Sequence, residues 1–192
     1  ADGALRRWRH LDIVANRDAA HAGWIWGLAL HGEMAVSVGE DGFARVWRRE
    51  DLSLIATLPH PHPLRAVAVR SDTDGITLAC GDMLGHVHVW HATGERDWHR
   101  SGLQVRHRAA VRALRWLPDG RLGSAGEDGR ILAGDSAADA QWQEVARHTN
   151  FATDLLAFRD GRLLSAGYDG SLRVADWSGH PPTANTIAME NV

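Results

Sequence analysis

The sequence predicts an all-β fold made of repeated four-stranded antiparallel sheets, and three observations carry that expectation. A glycine turn recurs along the whole chain, with Gly3, Gly42, Gly85, Gly129 and Gly170 spaced by 39, 43, 44 and 41 residues. That period is the one expected for a four-stranded propeller blade. Short apolar runs flank each turn, and where they alternate, as Val87 and Val89 do with His86 and His88, the period is that of a half-buried strand. No segment sustains a 3.6-residue apolar period with caps, so helices are expected to be nearly absent.

Taken in order, the chain opens on Asp2-Gly3 and two short strands at 4–9 and 11–16, so residues 1–18 read as part of a blade. Residues 19–59 form the next unit, with strands from residue 25, at 34–38, 44–47 and 52–58. The units at 60–105 and 106–147 repeat this plan, with fourth strands expected at 95–99 and 141–146. The last unit, 148–192, has three evident strands, and its tail offers 184–189 as a fourth. Asp-Gly between two apolar runs, as at 41–42, 128–129 and 169–170, is the strongest short hairpin signal. Each unit also begins with a His four residues ahead of its first strand: His21, His60, His107 and His148.

Composition narrows the function. With 21 Lys and Arg against 24 Asp and Glu, the net charge of −3 provides no basic field for nucleic acid or an anionic membrane, and neither partner is expected. The single Cys80 excludes an internal disulfide framework and is most simply a small buried hydrophobe. A reducing, cytoplasmic setting fits, and no run approaches a membrane span.

Candidate chemistry is sparse. The Gly-x-Asp-Gly turns join strands and lack the GxxxxGK[ST] pattern of a phosphate loop. Ser, His and Asp recur together in three units, which an active site would not do, and no GxSxG elbow accompanies them. PHPHP (59–63) and HVHVWH (86–91) crowd imidazoles into one unit, but no carboxylate or Cys completes a recognisable ligand spacing. The expectation is no catalytic residue, no metal and no cofactor.

The stretches HAGWIWGLAL (21–30) and SVGEDGFARVW (37–47) resemble the WD40 repeat family, and the resemblance covers almost the whole chain. It implies a β-propeller in which a His, Ser, Asp and Trp of each blade are hydrogen-bonded. The set is complete as His21, Ser37, Asp41 and Trp47. The second unit keeps His60 and Trp90, with Ala79 near the Ser position and Leu84 at the turn, where Asp82 is the candidate substitute carboxylate. The third and fourth keep His107, Ser124, Asp128 and His148, Ser165, Asp169, with Gly134 and Ala175 where Trp is expected. A buried carboxylate needs such donors, so the four His are read first as fasteners of the fold.

The resemblance also implies a binding face at the mouth of the ring. Trp26 is matched by Arg65, Arg112 and Thr153 in the other units, and Trp24 by Phe151 in the last. The turn residues Glu40, Glu127 and Tyr168 are expected on the same face. Clustered Trp and Arg are what interface hot spots are made of. The expected function is therefore a non-catalytic protein-interaction, scaffold or sensor module that binds a protein or peptide. The alternative is a regulatory propeller of a larger signalling or defence enzyme.

About four blades plus two strands do not make a familiar closed ring. Three solutions stand: a portion, expected to be C-terminal, of a longer propeller; closure by pairing the strand at 11–17 with the last blade; or assembly of two copies. The first is favoured, with another chain or an upstream segment completing the ring.

Overall fold

The computed structural model describes residues 2–94, 96–136, 141–176 and 183–188, and among them every regular element is a strand. The first sheet has two strands, β1 (Leu5–Arg9) and β2 (Asp12–Arg17). Four antiparallel four-stranded blades follow. Blade 1 contains β3 (Ile25–His31), β4 (Met34–Gly39), β5 (Phe43–Arg48) and β6 (Leu54–Pro59). Blade 2 contains β7 (Leu64–Asp72), β8 (Gly75–Asp82), β9 (His86–Ala92) and β10 (Trp98–Val105). Blade 3 contains β11 (Val111–Trp116), β12 (Leu122–Gly126), β13 (Arg130–Gly134) and β14 (Gln143–Arg147), and blade 4 contains β15 (Ala152–Ala157), β16 (Leu163–Gly167), β17 (Ser171–Asp176) and β18 (Thr183–Ala188).

Two expectations are corrected. β10 begins at Trp98 and runs to Val105, well beyond the expected 95–99, because it pairs along the full length of the long β9, from Ala92 to His86. The strand expected at 11–17 does not close the ring onto the last blade. β2 pairs with β1, and β18 from the tail already occupies the outer edge of blade 4. Of the tail strand expected at 184–189, Met189 lies outside the described residues.

Apolar cores lie between blades. Val36, Val38 and Val46 of blade 1 pack on Leu64, Leu78 and Cys80 of blade 2. Ala66, Ala79 and Val87 of blade 2 meet Leu114 and Leu122 of blade 3, and Ile131 and Val145 of blade 3 meet Leu155 and Leu163 of blade 4. Leu5 and Ala20 are docked in the same way on Trp47 and Leu52. Each blade thus buries one sheet face against the next, as alternating strand residues require. Cys80 is fully buried, and burial pushes its thiol pKa up, out of reach of nucleophilic chemistry.

A repeated hydrogen bond couples neighbouring sheets. The backbone N–H groups of His21, His60, His107 and His148 donate to the carbonyls of Gly3, Gly42, Gly85 and Gly129 of the preceding sheet, at 2.8 to 3.1 Å. The first, two-stranded sheet therefore docks as a complete blade would. Gly42, Gly129 and Gly170 have φ of 75°, 77° and 74°, a left-handed conformation that favours glycine and explains why the turn motif recurs unchanged.

Candidate functional site

The four His are each hydrogen-bonded within the fold, three in one pattern and His60 in another. In blade 1, His21 Nδ1 donates to Asp41 Oδ1 at 2.8 Å, Ser37 Oγ donates to His21 Nε2 at 2.7 Å, and Trp47 Nε1 donates to Ser37 Oγ at 2.9 Å. Blades 3 and 4 repeat it: His107 with Asp128 and Ser124, both at 2.8 Å, and His148 with Asp169 and Ser165, both at 2.9 Å. Burial alone would raise the Asp41 carboxyl, but donation from His21 and Arg45 outweighs it and holds the pKa at about 2. Burial, only partly offset by Asp41, lowers His21 and keeps it neutral. The glycine of Ser-x-Gly is needed because the His ring lies flat on it. A Cβ on Gly39 would stand 2.7 Å from His21 Nδ1, and one on Gly126 or Gly167 would strike the His107 or His148 ring.

Where Trp is missing in blade 3, another indole covers the position and bonds elsewhere than to the Ser hydroxyl. Trp142 packs on Gly134 and donates through Nε1 to the Asp135 carbonyl at 2.8 Å. Blade 2 departs further. Trp90 Nε1 donates directly to His60 Nε2 at 3.0 Å, and His60 Nδ1 donates to the Leu58 carbonyl at 3.0 Å. Burial, with His88 and Arg100 nearby, lowers the His60 pKa to about 4. Asp82 replaces the turn carboxylate, accepting the N–H groups of Leu84 and His86 at 2.9 Å each.

The expected upper face divides into two parts. Strand β3 presents Trp26, β7 presents Arg65 and β11 presents Arg112, side by side, because these strands line the inner rim in chain order. The Arg65 guanidinium lies 4.2 Å over the Trp26 ring, and the Trp24 ring is 5.0 Å from that of Trp26. Glu127, from the β12–β13 turn, accepts Arg65 at 3.1 Å and Arg112 at 3.0 Å through one oxygen, Oε1. The result is a connected Trp24, Trp26, Arg65, Glu127, Arg112 array spanning three blades. Trp26 Nε1 is buried with no hydrogen-bond partner.

Phe151 and Tyr168 form a separate aromatic pair at 6.1 Å, with Tyr168 63 % exposed. Thr153 spends its hydroxyl on the Ala166 carbonyl at 3.2 Å and stays outside the array. Glu40 is held by its backbone N–H to the Trp24 carbonyl at 2.9 Å, a bond repeated by Met83 with Pro63, Glu127 with Ala110 and Tyr168 with Phe151. That repeat adds Met83, 40 % exposed, to this face. Blade 2 lacks the Gly-x-Asp-Gly pattern, with Asp82 and Leu84 where the other turns have Gly and Asp, and this hid the position from the motif.

The model for the WD domain, G-beta repeat, matches residues 101–132, a stretch holding His107, Ser124 and Asp128. The fold is similar to the WD40 repeats of RRP9, with TM-score 0.75, 21 % identity and coverage of 88 % of this chain and 52 % of that one. It is also similar to the WD40 β-propeller domain of Doa1, with TM-score 0.76, 16 % identity and coverage of 92 % and 58 %. The chain contains a WD40 repeat and has the fold of a WD40 β-propeller. Telomerase protein component 1 of Mus musculus is 29 % identical over 157 residues, 75 % of this chain, and the Rattus norvegicus protein matches equally. The chain spans about 5 % of the length of these relatives. WD40 propellers are typically protein-interaction scaffolds and generally non-catalytic.

Proposed function

We propose that this chain is a non-enzymatic interaction module that receives a protein or peptide on the Trp24, Trp26, Arg65, Glu127, Arg112 array. The observation that carries the reading is the array itself: Trp24, 52 % exposed, lies beside Trp26, and the Arg65 guanidinium over Trp26 is joined through Glu127 to Arg112. Glu127 pre-orders both guanidinium groups, which lowers the entropy lost on docking.

Peptides selected from a random library on the immobilised chain test this. Trp26→Ala and Arg112→Ala are each expected to weaken the selected peptides at least about tenfold, with the melting temperature unchanged. Equal binding by Trp26→Ala, or turnover of ester, peptide or nucleotide substrates by the chain, overturns the reading.

A second reading rests on the first sheet. β1 has a hydrogen-bonded neighbour on one side only, and beside it Leu5, Leu28, Ala29, Leu30, Ala35 and Leu52 line an apolar recess. Leu28 and Leu30 are 63 % and 67 % exposed. An open edge over an apolar recess is a template for further strands. We infer that another chain or another segment of a longer protein completes this blade. Light scattering tests it: self-association that Leu28→Ser and Leu30→Ser abolish supports it, and a monodisperse monomer at all concentrations overturns completion by a second copy.

A further inference from the structure

We propose that His62, Asp82 and His86 of blade 2 form a binding site for a borderline divalent cation such as Zn2+ or Co2+. One ligand atom from each lies within 4.8 Å of the others, and the carboxylate is buried while both imidazoles are partly open to solvent. Three features distinguish this cluster from the fasteners of the other blades.

Among the described residues His62 has no hydrogen-bond partner. Its ring only stacks on that of His86, centroids 5.8 Å apart, so both of its nitrogens face no protein partner. Asp82, at the position that Gly39, Gly126 and Gly167 hold in the other turns, and the His pair at alternate positions of β9 bring two imidazoles to one carboxylate oxygen. His86 Nδ1 and His88 Nε2 both donate to Asp82 Oδ2, at 2.7 and 3.0 Å. Finally, the supporting contacts are already in place. Arg100 donates to His88 Nδ1, which fixes the tautomer that donates to Asp82, and the Asp82 Oδ1 side is held by two backbone N–H groups. A ligand held from behind in this way is characteristic of built metal sites.

Two imidazoles and one carboxylate suit zinc and its neighbours rather than calcium or magnesium. At metal–ligand distances of about 2.0 to 2.2 Å, tetrahedral ligand atoms sit roughly 3.4 Å apart. His86 and Asp82 then separate by under about an ångström, and His62 closes in by no more than about 1.4 Å, within side-chain rotation at the partly exposed imidazoles. The ion replaces the proton shared by His86 Nδ1 and Asp82 Oδ2, which leaves to solvent. It clips the loop before β7 to the β8–β9 turn, in the blade that lacks the Ser of the usual fastener, and leaves a fourth coordination position open.

Co2+ titration of the chelator-stripped chain, followed by its visible absorption and by calorimetry, tests the site. One equivalent is expected to bind with the intense bands of tetrahedral Co2+, to be displaced by Zn2+, and to raise the melting temperature. His62→Ala is expected to weaken binding at least about a hundredfold while the metal-free melting temperature stays at the wild-type value, since His62 has no hydrogen-bond partner among the described residues. His99→Ala, which removes one ring of the separate His91 and His99 pair, 5.4 Å apart, is expected to change nothing. Binding that survives His62→Ala, binding that disappears in His99→Ala, or no saturable binding below about 1 mM overturns the proposal.

Discussion

Replacing His107 with Ala is expected to destabilise the chain by about 3 to 5 kcal/mol. The imidazole is the side-chain donor to the Asp128 carboxylate and the acceptor for the Ser124 hydroxyl, both in water-poor surroundings. Removing it leaves the Ser124 hydroxyl without its acceptor and the Asp128 carboxylate with only the backbone N–H groups of Arg108 and Arg130, and a buried group left short costs more than its hydrogen bond returned. Urea unfolding followed by Trp fluorescence should show a lower midpoint at unchanged slope, and a loss below about 1 kcal/mol would refute the fastener role.

The pH dependence of the same fastener has a definite sign. Burial alone would raise Asp128, but donation from His107 and from the backbone of Arg108 outweighs it and holds the pKa at about 2, below the unfolded value near 3.9. The unfolded chain therefore binds the proton first. The Asp128 contribution, of order 2 to 3 kcal/mol, is fully present above about pH 4 and is lost as the pH falls through about 2. His107→Ala should flatten that acid limb as well as lower the plateau.

Leu114→Ala is expected to cost about 4 kcal/mol, near the upper end of the range for buried leucines. Leu114 is fully buried between blades 2 and 3, against Ala66, Ala68 and Ala79. The alanine methyl groups are fixed to strands of a hydrogen-bonded sheet and have no reach with which to fill the cavity, and Val87, Val89, Val111 and Leu122 of the same core are themselves held in strands. Leu28→Ala on β3, where the side chain is 63 % exposed, should stay within about 0.5 kcal/mol. Equal losses at the two positions, read from the same urea midpoints, would refute the inter-blade core.

How much of this was legible beforehand differs by residue. The blade period, the hairpins and the His, Ser, Asp sets are local in sequence, and the structure repeats them with distances that differ by about a tenth of an ångström between blades. Trp24, Trp26, Arg65 and Arg112 were legible as equivalent positions, because each stands at or just ahead of an inner strand. That Arg65 reaches over to both Trp26 and Glu127 was not, since those contacts join residues 39 and 62 positions apart. Thr153 occupies the equivalent position on β15, yet its short side chain turns back to its own sheet. Trp142 covering the place of a Trp absent at position 134 was invisible for a similar reason: ring position follows packing, not alignment.

The sequence by itself determined the all-β class, the four-stranded unit and the fasteners, because period-two alternation and a turn requiring positive φ at glycine are properties of neighbouring residues. Only the tertiary structure decided which edge of the first sheet stays open, that Arg65 joins Trp26 to Glu127, and that His62 stands over the Asp82 and His86 pair. Those features depend on how one blade is placed against the next, and that placement is set by side chains far apart in the chain packing into a shared core.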